Sequence, residues 1–285
     1  SHGFLDANAR PDNILPLWSR LRGYRRAWFG QFPHVTPGQG ERSGLVGRAG
    51  FAAEAFRFLD HALRGAPRPR DARVVVEEGT TGRWRSERRW PPDDVRAWHV
   101  RLRAGAYRDA PGNKGEPSCT PQLAAPVAAL DPSCLPGPAG NGAWTVTRAL
   151  RTSRWLAGAP RLTARLETAA RRVHLHAFLY DVGPDGRATL ISRGATLARS
   201  RTAQLELYPQ DWRLAPGHRL AVLLSGADDL WFAPGTSLAR VRLRAGHVKL
   251  PVLRRERAFD AAGVPSAAQR VRTRFPLPAG VVSPP

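Results

Sequence analysis

Alternation of apolar and charged residues limits this chain first. LTARLE at 162–167 and RVRLRA at 240–245 put apolar side chains on one face of an extended strand and charged ones on the other. Further candidate strands lie at 73–78, 83–90, 98–102, 144–150, 161–167, 173–182, 188–198, 204–207, 219–225, 239–245 and 248–253. Between them fall turns such as Gly183-Pro184-Asp185-Gly186 and Pro216-Gly217, and the 27 glycines and 26 prolines favour short strands over long helices. Many short strands, each with one wet face, predict an antiparallel β-sandwich of jelly-roll type over residues 67–252. Residues 253–285 lose the period and predict a charged, partly extended tail.

The first 66 residues follow a different pattern. A strand end at 1–6 leads into a turn, and Ile14, Leu17, Trp18 and Leu21 have helical spacing. A short strand follows at 24–29, then a loop at 30–36. The helix at 50–64 carries Phe51, Ala55, Phe58, Leu59, Ala62 and Leu63 on one face and stops at Gly65. Strand, helix, strand, loop, helix is an α/β unit too small to bury two sheet faces by itself. The predicted fold class is therefore α/β plus all-β.

Charge excludes less than it suggests. The formal net charge is +21, yet Lys114 and Lys249 are the only lysines, and the arginines are scattered rather than gathered into a basic arm. Abundant arginine, alanine, glycine and proline are what a GC-rich coding sequence yields, so no specific nucleic-acid partner is predicted. No run of about 18 apolar residues occurs, so no membrane span is predicted either. The chain starts at Ser1 and has no methionine, so its translation start is expected upstream. Cys119 and Cys134 share Pro-Ser-Cys contexts in a Gly/Pro-rich stretch. A disulfide between them would close a loop of about 15 residues and stabilise by about 3 kcal/mol. Two free thiols or half a zinc site are the alternatives. The disulfide is the expectation, and with it a secreted, extracellular protein.

Asp6 ends the first strand signal and His34 follows the second, with one helix between them. That order lets a carboxylate and an imidazole reach the same edge of a sheet, where the acid would hold the ring and the ring would take a proton from a serine. The segments HGFLDANARPDN, RRAWFGQFPH and FRFLDHALRG resemble the end of the catalytic domain of X-Pro dipeptidyl-peptidases and cocaine-esterase-like serine hydrolases. HAFLYDVGPDGRATLISRGA and LYPQDWRLAPGHRLAVLLSGADD resemble the C-terminal sandwich of the same family, which has a galactose-binding-like fold.

The resemblance implies that residues 1–66 are the C-terminal part of an α/β-hydrolase domain. It further implies that Asp6, in a Gly-x-x-Asp turn, and His34, in a Gly-x-x-x-His loop, are the acid and base of a Ser-His-Asp triad. The implied substrate is a peptide with proline second, or an ester or amide with a bulky acyl group, and no cofactor is implied. No Gly-x-Ser-x-Gly elbow occurs, and Ser43 in GERSGLVG lies after the histidine in what reads as a flexible loop. The nucleophile and oxyanion donors are expected in a missing N-terminal part of the catalytic domain, and the fragment alone is expected to be inactive.

Three further sets carry alternatives. Asp228, Asp229 and Trp231 form an acidic-aromatic loop that could line a substrate pocket, the alternative being a surface turn. His174 and His176 form His-x-His on a strand, a metal-binding spacing without an evident third ligand, and read instead as histidines on the wetter side of a sheet. Trp84, Trp90, Trp98, Trp144, Trp155, Trp212 and Trp231 read as core packing between two sheets, the alternative being a sugar platform, which together with the basic surface gives the rival reading of a noncatalytic jelly-roll module binding glycan or an anionic surface.

Overall fold

A computed structural model describes residues 1–6, 9–110, 142–199, 201–226, 235–267 and 274–281. Among these the strands form three sheets. The first contains β1 (His2–Gly3), β2 (Ala27–Gly30), β3 (Val74–Glu77) and β4 (Trp84–Glu87), in that order. β1, β2 and β3 are parallel, and β4 is antiparallel to β3.

This sheet has both faces covered, which is why Val74, Val75 and Val76 are all buried rather than alternating. Phe4, Phe29, Val74, Val76 and Trp90 pack with Trp18 of helix α1 (Ile14–Arg20) on one face. Trp28, Val75 and Trp84 pack with Phe32, Val46, Phe51 and Ala261 on the other. The sequence places β3 and β4 in the second unit, beyond a linker at 66–72. Their backbone hydrogen bonds instead complete the first sheet, so the break in sequence character is not a break in the ladder. The tail likewise docks: Phe259 stacks near Trp155 at 5.5 Å, and the Trp84 indole donates to the Val264 carbonyl at 3.0 Å.

Two helices correct the sequence reading. Residues 37–43 form helix α2 (Pro37–Ser43), opened by proline in its first turn and closed by Gly44 at φ 71°. Ser43 therefore sits in a helix rather than a flexible loop, with its hydroxyl donating to the Gln39 carbonyl at 3.0 Å. In helix α3 (Phe51–Arg64) the buried position is Glu54, while Leu59 and Leu63 of the predicted inward face are exposed. The Glu54 carboxylate accepts from the Trp28 indole at 2.9 Å, from Arg26 at 2.6 Å and from Arg48 at 2.9 Å, and these bonds set the helix rotation. Phe56, at 67 % exposure, and Leu63, at 77 %, are left as an open apolar face.

The other two sheets are antiparallel and face each other. One contains β7 (Ala143–Val146), β10 (Val173–Val182), β11 (Arg187–Ala198), β14 (Arg219–Ser225) and β16 (Phe275–Pro276), ordered β16-β11-β10-β14-β7. The other contains β8 (Arg154–Gly158), β9 (Arg161–Glu167), β12 (Thr202–Glu206), β13 (Gln210–Leu214) and β15 (Arg240–Leu253), ordered β12-β9-β15-β8-β13. β5 (Val95–Arg101) and β6 (Gly105–Arg108) also pair with β15. Leu175, Ala177 and Leu179 of β10 meet Leu162, Ala164 and Leu166 of β9 and Val248 and Leu250 of β15 in the largest core. This is the β-sandwich expected from alternation. No helix among the described residues is long and apolar enough to cross a membrane.

Candidate functional site

The parallel register builds one edge of the first sheet into a site. Gly3 of β1 pairs with Gly30 of β2, so the chain leaves both strands side by side and in the same direction. Asp6 lies just past the first strand and His34 just past the second. Their side chains meet: Asp6 Oδ2 lies 3.0 Å from His34 Nδ1. Asp6 is buried, and its Oδ1 accepts the Ala9 N–H at 2.8 Å, which fixes the carboxylate plane. The His34 side chain is 57 % exposed, so the imidazole is held on one side and open on the other. With Nδ1 engaged by the carboxylate, Nε2 is the atom left to exchange a proton.

Both glycines are needed for this approach. The chain after β2 folds back so that Phe32 fills the space above them. A Cβ on Gly3 would lie 1.9 Å from the Phe32 carbonyl oxygen, and one on Gly30 would lie 2.7 Å from the Phe32 ring. Gly3→Ala is therefore expected to displace the segment that carries His34 and to destabilise the protein by about 1–3 kcal/mol. Thermal unfolding checks this, and an unchanged midpoint would show that Phe32 yields freely.

Behind the edge lies a buried polar network absent from the sequence reading. Glu77, at the end of β3, accepts the Gln31 N–H at 2.8 Å, the Ser266 N–H at 2.7 Å and the Ser266 hydroxyl at 2.6 Å. The Gln31 amide donates to Gln210 Oε1 of β13 at 3.1 Å. A second buried centre joins the first sheet to the sandwich. Arg85 of β4 forks onto Asp211 of β13 with two 2.6 Å bonds, both side chains being fully buried. The indoles of Trp155 and Trp90 donate to the same carboxylate at 2.8 and 3.0 Å. The sequence signals were weak: Glu77-Glu78 closing an apolar run, and an Asp beside a Trp at 211–212.

Asp228, Asp229, Trp231, Cys119 and Cys134 lie outside the described residues. Trp84, Trp90, Trp155 and Trp212 are buried, and Trp98 and Trp144 are partly buried against the cores, so none of these six stands on the surface as a sugar platform. His174 and His176 are not on a wet face. His174 Nδ1 meets buried Asp109 at 2.9 Å, and His176 is 2 % exposed. Among the described residues no group of three or more His, Cys, Asp or Glu could hold a metal ion.

Burial, and after it the neighbouring His174, pushes the His176 pKa down to about 4. Below about pH 6.5 the unfolded chain takes up a proton that the folded chain refuses, so stability falls as pH drops from 6.5 and levels off below 4, at about 1.4 kcal/mol per pH unit between. Denaturant unfolding across this window is expected to show that slope and His176→Leu to flatten it. An identical slope in the variant would assign it to other groups.

Residues 65–263 match the family described as X-Pro dipeptidyl-peptidase C-terminal non-catalytic domain. A Streptomyces avermitilis protein named "Putative Xaa-Pro dipeptidyl-peptidase" is 28 % identical over 199 residues, which cover 65 % of this chain and 28 % of that protein. Among solved structures, an aminopeptidase from a marine sediment Thaumarchaeota archaeon superposes with a TM-score of 0.64 at 17 % identity. A CocE/NonD family hydrolase from Staphylococcus aureus gives 0.63 at 9 %, and an alpha-amino acid ester hydrolase gives 0.58 at 15 %. Each covers 88 % of this chain, and the chain spans 53–54 % of each. At these identities the structures establish a shared fold, and the sequence match carries the assignment. The chain belongs to the X-Pro dipeptidyl-peptidase family and carries its C-terminal non-catalytic domain over residues 65–263.

Proposed function

We propose that the intact protein is a serine hydrolase that cleaves a peptide amide or an ester through an acyl-enzyme, with Asp6 and His34 as its acid and base. The observation that carries this reading is the 3.0 Å contact between a buried, oriented carboxylate and a half-open imidazole at the edge of a parallel sheet. In this mechanism His34 takes the serine proton as the oxygen attacks the carbonyl. It then returns that proton to the leaving amine or alcohol, and Asp6 stabilises the imidazolium between the two steps. Residues 1–66 are the C-terminal part of an α/β-hydrolase domain, their sheet extended by β3 and β4 of the following domain, and the sandwich is of jelly-roll type. Ser43 is spent in helix α2, so the nucleophile and the oxyanion donors come from sequence beyond this chain, which spans about half of the similar structures.

By family, the substrate is a peptide with proline second, or an ester or amide with a bulky acyl group. Assay of the intact protein on a free-amine X-Pro amide, its N-acetylated form and a simple acyl ester tests this. Turnover of the free-amine amide that is lost on acetylation marks a dipeptidyl-peptidase, and turnover of the ester without either amide marks an esterase. Failure of the folded intact protein to hydrolyse any of the three overturns the proposal. A Cys119–Cys134 disulfide and an extracellular location belong to the same proposal. Alkylation of the unreduced protein is expected to leave its mass unchanged, and two added alkyl groups would remove this part.

A further inference from the structure

The histidine that carries the proposed base chemistry sits on a short arm whose root is anchored by residues far away in the chain. Between β2 and His34 lie Gln31, Phe32 and Pro33. Gln31 and Phe32 are fully buried, and Pro33 fixes its own φ. Gln31 is held twice, its backbone N–H by Glu77 at 2.8 Å and its side-chain amide by Gln210 at 3.1 Å. Glu77 is clamped in turn by the Ser266 N–H and hydroxyl at 2.7 and 2.6 Å. The Ser266 hydroxyl accepts the Gly47 N–H at 3.0 Å. All four polar side chains are at most 1 % exposed, so every one of these bonds works without competition from water.

We propose that Gln210 of the sandwich and Ser266 of the C-terminal segment are positioning residues for His34, acting through Gln31 and Glu77. This rests on the reading of His34 as the general base. It gives the domain described as non-catalytic a part in the reaction: the sandwich and the segment after it set where the imidazole stands relative to the nucleophile. Acyl transfer needs the base within hydrogen-bond reach of the serine, and a misplacement of about 1 Å costs about 100-fold in rate. Neither residue touches substrate, so the effect falls on kcat and leaves KM alone.

The test uses the intact protein with Gln210→Met, which keeps volume but not the hydrogen bond, and separately Ser266→Ala, which removes one hydroxyl. Expected for each is a fall in kcat of about 10- to 100-fold, with KM within about twofold and an unchanged circular dichroism spectrum. Gln31→Met combined with Gln210→Met is expected to lose no more than either alone, because both remove the same bond. If Gln210→Met does not fold, Ser266→Ala carries the test. Wild-type kcat in the folded variants overturns the inference, as does a loss that only follows the fraction unfolded. His34→Ala measured alongside separates the two levels. Full activity there overturns the base assignment and this inference with it, whereas an inactive His34→Ala beside a fully active Gln210→Met and Ser266→Ala overturns this inference alone.

Discussion

Replacing His34 by alanine in the intact protein is expected to lower kcat/KM for its amide or ester substrate by about 10⁴-fold or more, with the fold unchanged. The size follows from what is lost. In the proposed mechanism the imidazole takes the serine proton during attack and returns it to the leaving group, and the variant has no group for either step. The side chain is more than half exposed and is held by its contact with Asp6, so its removal leaves no buried hole. Asp6→Asn is expected to cost about 10³- to 10⁴-fold through the wrong ring tautomer and a lost counter-charge. Because the two residues act as a unit, the double variant is expected to be no worse than His34→Ala. Initial rates over a substrate series measure all three. A His34→Ala protein within threefold of wild type would remove the assignment.

The second large effect concerns stability. Asp211→Ala would leave the Arg85 guanidinium and the indole N–H groups of Trp90 and Trp155 buried without their shared acceptor. Breaking a buried pair from one side costs about 3–5 kcal/mol. That is a large share of the stability of an ordinary domain, about 5–15 kcal/mol. The pair links β4 of the first sheet to β13 of the sandwich, so the loss is expected to appear as separation of the two sheets in hydrogen exchange as well as a lower denaturant midpoint. Arg85→Met with Asp211→Leu is expected to recover much of the loss, since removing both charges together avoids the orphaned one. An Asp211→Ala variant unfolding within 1 kcal/mol of wild type, a bound set by that same range, would show that water reaches Arg85.

How much of this was legible depended on how local the cause was. Strand β9 could be read from its alternation, and β10, β11 and β14 from their length as apolar runs of 7 to 12 residues between turns, although both faces of these three are largely buried. β8 and β13 could not. RWLAG and QDWRL are five residues each and buried nearly throughout, too short to stand out as apolar runs and without alternation. β15 reads as two strands because the ladder shifts register between Leu243 and Ala245, although the chain continues through to Leu253. Helix α2 is hidden by the low helix propensity of its glycines and forms between a proline start and a left-handed Gly44.

The pairing of Asp6 with His34 was readable because parallel register turns two loop lengths into one distance. The groups that hold it were not. In sequence Gln31 falls in a loop, Glu77 at the end of a strand and Ser266 in the tail, and none of them is marked as buried. They are buried because each meets a partner from far along the chain, Gln31 and Gln210 being 179 positions apart. The rotation of α3 was missed for a similar reason: its apolar period favours Leu59 and Leu63, but Glu54 has three donors beneath it and turns the helix toward them.

The most direct measurement is the rate at which a fluorophosphonate labels the intact protein, read by peptide mass, in wild type and in His34→Ala. The reagent reports on activation of a serine hydroxyl without needing the natural substrate. The account predicts one serine, outside this chain's 285 residues, labelled stoichiometrically in wild type and at least about 10³-fold more slowly in the variant. Equal labelling rates in the two proteins, or modification of Ser43 instead, would contradict it.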